Sequence, residues 1–403
     1  MELPKAIHEL EYNHGGRYGE DEVAAVLEVL RASAPSCGPE VRQFEEQFAA
    51  YCGCPYALAV SSATAGLQLA LLAAGVGPGD EVITTPISWI STANAAACLG
   101  ARVVFADVDP ETLNLDPAAV ARKITPRTKV ILLVHLYGCC CDMDPLRELA
   151  QQHGLLLVED CAHAPGATYK GRKSGTLGDL GVFSFHQQKN MVTLGEGGMV
   201  TTHRPDLHER VLSFRSLCCR SYDPKGKYLG FDERTHPMNQ RYWFLDFDEV
   251  GFNFRMTDIQ AAVGLVQLGK LEEFNARRIA IAARYSQRLA RLPGLKLPAT
   301  PAHCRHVFHI YCVRLAPEFP LSKAAFMWEL YTRRRIKTWS HYMPIHLTTA
   351  YRRLGHGPGE CPLAEALYER YVSLPIHPRL TEEGINYLLD SIEALACTPS
   401  PKP

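Results

Sequence analysis

Between residues 56 and 202, short β-branched apolar runs alternate with stretches whose apolar positions recur at helical spacing. The runs Tyr56–Ser61, Glu81–Thr85, Ala101–Asp107, Lys129–Leu136, Leu155–Glu159, Gly181–Phe185 and Gly198–Thr202 predict strands. Ala63–Ala74 and Pro145–His153 are examples of the helical stretches that separate them. Strands alternating with helices predict a mainly parallel sheet with crossover helices on both faces, an α/β fold. Ligands of such sheets bind beyond the carboxyl ends of the strands. Polar residues at strand ends therefore become the candidates for chemistry.

Farther along, helical spacing runs unbroken from Thr257 to Ala290, and the segment Pro293 to Leu395 adds the strand-like His309–Leu315 and more helices. This predicts a large α/β domain over residues 1–265 and a linker helix with a smaller C-terminal α+β domain over residues 266–403. The stretch from Cys219 to Asp248 is aromatic, charged and without either period. An aperiodic segment of that length inside a compact chain is expected to be a functional loop. The Pro-rich tail Thr398–Pro403 is expected to fray.

A formal net charge of −1 gives no bulk attraction for nucleic acid or membrane, which leaves a small molecule as the expected partner. No basic leader precedes an apolar stretch and no apolar run is long enough to span a bilayer, so a cytoplasmic protein is expected. The fourteen cysteines, among them Cys139, Cys140, Cys141, Cys218 and Cys219, form no paired C-x-x-C units with histidines. Reduced thiols and no metal site are expected.

Four segments at predicted strand ends carry candidate chemistry. Ser61-Ser62-Ala63-Thr64-Ala65-Gly66 opens a helix with small residues, which suits either an anion on unpaired N–H groups or a plain N-cap. Val158-Glu159-Asp160-Cys161-Ala162-His163-Ala164 ends the fifth strand, where alternation keeps Glu159 and Asp160 from sharing one crevice. Phe183-Ser184-Phe185-His186-Gln187-Gln188-Lys189 runs off the sixth, and its apolar strand delivers Lys189 to the ligand edge, where desolvation favours amine nucleophilicity. Gly195-Glu196-Gly197-Gly198 then turns the chain back beneath that edge. A carboxylate after one strand, a lysine after the next and a glycine turn behind it suit pyridoxal phosphate, which needs an amine and an anion beside its pyridine nitrogen.

These segments resemble the DegT/DnrJ/StrS-type sugar aminotransferases, of the aspartate-aminotransferase fold type I. The resemblance runs from Gly38-Pro39-Glu40-Val41 through Asp107-Val108-Asp109, His135-Leu136-Tyr137-Gly138 and Gly251-Phe252-Asn253-Phe254-Arg255-Met256-Thr257-Asp258 to Ser373-Leu374-Pro375 and Leu380-Thr381. It implies a seven-stranded, mainly parallel sheet and pyridoxal phosphate held as a Schiff base on Lys189, which also shuttles the proton. Asp160 is implied to pair with the pyridine nitrogen, His163 to lie near the phenolic oxygen and Trp89 to stack on the ring. Ala63, Thr64 and Ser184 match the phosphate cup, and Asn253 matches a residue lent to that phosphate by a second subunit, which implies a homodimer with shared sites. Ala63 stands where many members have glycine, and Cys161 where alanine is usual.

For the substrates, the resemblance implies glutamate or glutamine as donor and a keto sugar, often nucleotide-linked, as acceptor. His186, His309, Tyr311, His341, Tyr342 and His346 are the candidate substrate contacts, although each histidine also suits a structural role. Arg220, Lys225, Lys227, Arg234 and Arg241 of the loop either meet a diphosphate or are simply solvated. A keto-cyclitol aminotransferase shares every catalytic residue. A cofactor-assisted sugar dehydratase is disfavoured by Lys189, and a non-catalytic regulator by the intact site and the lack of a DNA-binding pattern.

Overall fold

The computed structural model describes residue 10 and residues 15–32, 36–219 and 247–397. Strands β1 (Tyr56–Val60), β2 (Glu81–Thr84), β3 (Arg102–Phe105), β4 (Thr128–Val134), β5 (Leu156–Asp160), β6 (Leu180–Ser184) and β7 (Gly198–Thr202) form a seven-stranded sheet in the order β1-β7-β6-β5-β4-β2-β3. β7 runs antiparallel to both neighbours, and the pairs from β6 to β3 are parallel. Each predicted run gives one strand, with ends displaced by a few residues. The displacement has a cause at β4, where Leu136–Gly138 leaves the ladder as a 3₁₀ turn.

Helix α1 (Ala63–Ala73) packs Leu67 and Ala70 against Val60, Val182 and Val200 of the sheet. A Cβ on Gly66 would lie 2.8 Å from Val182 Cγ1, so only glycine lets the first turn of α1 settle this deeply. Helix α2 (Ser91–Ala97) follows β2 and buries Thr92, Ala93 and Ala96.

Helix α3 (Asp258–Leu289) is continuous for 32 residues. A reciprocal cap starts it: Gln260 N–H donates to Thr257 Oγ1 at 3.4 Å, and Thr257 N–H donates to Gln260 Oε1 at 3.1 Å. Its first half buries Ala261 and Leu271 beside Phe44, Phe48 and Phe185. Its second half buries Ile281, Tyr285 and Leu289 in a C-terminal core with Val313, Phe326, Leu374 and Leu388. That core includes a three-stranded antiparallel sheet of β8 (Leu295–Lys296), β9 (Tyr311–Leu315) and β10 (Tyr371–Leu374), in that order. β9 begins two residues later than its apolar run, because Ile310 N–H is drawn to Tyr137 O. Among the described residues no helix is long and apolar enough to cross a membrane.

Candidate active site

The carboxyl ends of β4, β5 and β6 and the first turns of α1 and α2 surround a cavity of about 430 Å³. Asp160 and Lys189 both line it. Asp160 is the last residue of β5, paired with Val134 on one side and Val182 on the other. Its Oδ2 accepts from Thr92 Oγ1 at 2.8 Å and its Oδ1 from the Ala162 N–H at 3.1 Å. The Thr92 hydroxyl in turn meets Ser88 Oγ at 2.8 Å. Burial pushes the Asp160 carboxyl above the usual carboxylate range, while the donors from Thr92 and Ala162, and then Lys189, pull it back.

Glu159 faces away from this cavity, as strand alternation requires. It accepts from the amides of Gly175, Leu177 and Gly178 at 2.8, 2.7 and 2.6 Å and from His135 Nε2 at 2.7 Å. Cys161, His135 and Glu159 bring ligand-type atoms within 4.8 Å of one another, but the Glu159 oxygens are engaged by the donors just named. The choice between the two carboxylates is thus made by geometry: Glu159 holds a turn, and Asp160 faces the cavity.

Lys189 leaves β6 on a tight return. Gln187 N–H donates to Gly195 O at 3.0 Å, Phe185 N–H to Gly197 O at 2.9 Å and Thr193 N–H to Phe185 O at 2.9 Å. The glycines are needed here: a Cβ on Gly197 would lie 2.2 Å from Thr193 Oγ1, and one on Gly198 would lie 2.8 Å from the Ala63 amide. This return therefore runs against the start of α1. Burial lowers the Lys189 amine to about 8, against the opposing pull of Asp160 and then Glu196. The amine therefore gives up its proton much closer to neutral pH than an ordinary lysine, which raises its nucleophilic fraction.

Ala63 and Thr64 sit in the first turn of α1, where backbone N–H groups have no partner within the helix. Ser62 caps it by accepting from Ala65 N–H at 3.2 Å, and Thr64 Oγ1 donates to Ser91 Oγ at 2.9 Å. Ser184, at the end of β6, lines the same part of the fold as Ala63 and Thr64. N–H groups, hydroxyls and the positive end of a helix make an anion site.

The opposite wall is aromatic. His163 Nδ1 accepts from the Tyr137 N–H at 3.3 Å, which puts the ring proton on Nε2, facing the Tyr342 hydroxyl at 3.1 Å. Burial, then Lys189, holds His163 well below the ordinary histidine range, so the ring is neutral. His309 packs against it at 4.4 Å between centroids, tilted by 31°, and turns Nδ1 to Asn190 Oδ1 at 3.1 Å. Because Asn190 Nδ2 donates to Asn275 and Val307, its oxygen accepts, and His309 keeps Nε2 as an acceptor. His341, lowered to about 3 by burial and then Lys189, meets Ser373 Oγ at 2.9 Å. Trp89 is 62% exposed and meets Tyr342 edge-on at 6.1 Å. His186 lines the cavity too, with Nε2 3.8 Å from Glu196 Oε1.

Tyr311 and His346 lie outside this cavity. Tyr311 is buried in β9 with its hydroxyl 2.8 Å from Ser286 Oγ, and His346 is buried with Nε2 2.9 Å from Glu365. Asn253 is exposed, and its backbone pairs with Ser216 away from the cavity of its own chain. Arg220, Lys225, Lys227, Arg234 and Arg241 fall outside the described residues. The cavity also contains residues that sequence reasoning did not single out: Ser62, Ser88, Thr92, Glu196 and Trp339. Only Ser62 and Glu196 carried a signal, since both lie inside the motifs that were read.

Residues 17–393 match the DegT/DnrJ/EryC1/StrS aminotransferase family. The chain belongs to that family. It is 41% identical over 359 residues to the GDP-perosamine synthase of Caulobacter vibrioides, covering 89% of this chain and 90% of that protein. It is 38% identical over 378 residues to the spore coat polysaccharide biosynthesis protein SpsC of Bacillus subtilis, covering 93% and 94%. The crystal structure of S. venezuelae DesV in complex with a ketimine intermediate superposes with a TM-score of 0.84 at 37% identity, covering 94% of this chain and 95% of that one.

The DegT/DnrJ/EryC1/StrS chain is therefore a pyridoxal-phosphate-dependent aminotransferase of fold type I. The residues present fit that cofactor. Lys189 offers a buried amine of lowered pKa, and the first turn of α1 with Ser184 suits the phosphate. Asp160 is a buried carboxyl whose pKa burial raises, and a cationic neighbour such as a protonated pyridine ring would keep it ionised.

Proposed function

We propose that this aminotransferase moves an amino group from glutamate or glutamine to a keto sugar joined to a nucleotide, as a cytoplasmic homodimer with shared sites. The observation that carries the reading is the joint presence of Lys189 and Asp160 in one cavity of a chain whose relatives include GDP-perosamine synthase. When bound, pyridoxal phosphate supplies an electron sink and carries the amino group between the two substrates.

The chain's own groups then have separable tasks. Lys189 Nζ would hold the cofactor, and once released it would move a proton from the donor's α-carbon to the carbon that carried the cofactor's aldehyde, and in the opposite sense in the acceptor half. Positioned proton transfer of this kind is worth roughly 10²- to 10⁴-fold. Asp160 holds the ring nitrogen protonated, and Thr92 with the Ala162 amide keeps that carboxylate ionised and aimed. Ala63, Thr64 and Ser184 take the phosphate, joined by Asn253 of a second copy. Trp89 covers the ring, and His163, neutral, serves the phenolic side with its Nε2 proton. His186, His309, His341 and Tyr342 face the substrate, and Tyr311 and His346 are left out of this site because they line other parts of the core.

The test is a half-reaction screen. The protein is loaded with pyridoxamine phosphate and offered nucleotide-linked keto sugars, free keto sugars and keto-cyclitols. Return of the cofactor's visible absorbance with nucleotide-linked ketones supports the reading. A response confined to keto-cyclitols would replace it with the cyclitol alternative, which shares every residue named.

A further inference from the structure

One large side chain of the cavity has no task in the transfer just described. Trp339 lines the cavity and is 45% exposed, so part of its indole is open to that space. It is not on a loose loop. Its N–H donates to Ser373 O at 3.2 Å and its carbonyl accepts from the Ser373 N–H at 2.8 Å, and Ser373 belongs to β10. The same Ser373 holds His341 through its hydroxyl. His341 lies 6.1 Å from the indole at 30°, which backs one side of the ring system. The indole is thus fixed by the C-terminal sheet and half open towards a space that Lys189 also lines.

The two substrates of a transaminase use that space in turn and differ in shape. An amino-acid donor is a flexible chain with two or three polar ends and offers no flat apolar face. A pyranose presents a face of C–H groups, which an aromatic ring accepts by dispersion and by its negative face. Trp339 lines the same cavity as Lys189, so the sugar whose carbonyl reacts there occupies the space that the indole faces. On this basis we infer that Trp339 is the platform on which the pyranose ring of the acceptor stacks, a specificity-determining residue for the sugar half-reaction with no part in the donor half. The inference rests on the keto-sugar reading.

Trp339→Ala and Trp339→Phe are compared with wild type in separate half-reactions, donor consumption by the pyridoxal form and ketone consumption by the pyridoxamine form. Trp339→Ala is expected to raise the acceptor KM roughly 10- to 100-fold, the loss of one buried aromatic contact. Its donor half-reaction stays within about twofold of wild type, which also shows that the variant is folded and loaded. Trp339→Phe, which keeps an aromatic face, recovers most of the acceptor affinity. An unchanged acceptor KM in Trp339→Ala overturns the inference, as do equal losses in both halves that Trp339→Phe does not separate. If wild type aminates no pyranose ketone at all, the keto-sugar reading itself falls, a result distinct from either of these.

Discussion

Thr92→Val replaces a hydroxyl with a methyl group, which removes a hydrogen-bonding group from the active site and leaves its shape nearly intact. In the native protein the buried Thr92 hydroxyl donates to Asp160 Oδ2 at 2.8 Å. A hydrogen bond to a charged group contributes about 1.5–3 kcal/mol. Its loss takes that much preference away from the ionised form, so the Asp160 pKa rises. The direction adds to what burial already does, since desolvation has raised that carboxyl and Thr92 is the first of the groups that lower it. Asp160 must be ionised to keep the ring protonated, so the acid limb of the rate profile moves up in pH. On the acid limb the donor half-reaction slows about 10- to 100-fold, the ratio that 1.5–3 kcal/mol corresponds to, and it recovers as the pH rises. The assay is single-turnover decay of the cofactor absorbance with glutamate from pH 5 to 9. Thr92→Ser, which keeps the donor, is the control and stays close to wild type. A Thr92→Val enzyme with both its rate and its acid limb unmoved would refute the argument that this hydroxyl governs the carboxylate.

Three further outcomes are expected. Reconstitution of apoprotein with pyridoxal phosphate speeds up as pH rises through about 8, where the Lys189 amine loses its proton, and then levels off; a midpoint in the ordinary lysine range, about 10.4, would contradict the desolvated amine. Gly66→Ala forces a methyl to within 2.8 Å of Val182 Cγ1 and costs about 1–3 kcal/mol of stability, read as an earlier urea midpoint at unchanged slope. Lys189→Ala and Asn253→Ala are each impaired alone, but mixed subunits regain a working site if Asn253 serves the neighbour's phosphate, and activity that never exceeds the sum of the two argues for self-contained sites.

The large sheet was legible because its strands are buried on both faces and read as continuous apolar runs between helices. Alternation alone separated Asp160 from Glu159, and the apolar run of β6 pointed to Lys189. What the sequence hid were contacts between distant segments. Thr92 reaches Asp160 across 68 positions, and nothing in Ser91-Thr92-Ala93-Asn94 distinguishes its hydroxyl from any other on a short helix. Trp339 reads as another core aromatic until β10 fixes its backbone at the cavity. Tyr311 shows the converse. Its position in a matching segment drew attention, yet the strand period turns its side chain into the C-terminal core, beside Tyr285 at 5.1 Å.

The long helix α3 contributes Ala261 and Leu271 to one apolar cluster and Ile281, Tyr285 and Leu289 to another. Melting either cluster would strip packing from half of a single hydrogen-bonded rod, and a rod that loses half its support frays into the rest. The two halves of the molecule should therefore denature together, in one calorimetric peak, even though their sheets share no strand.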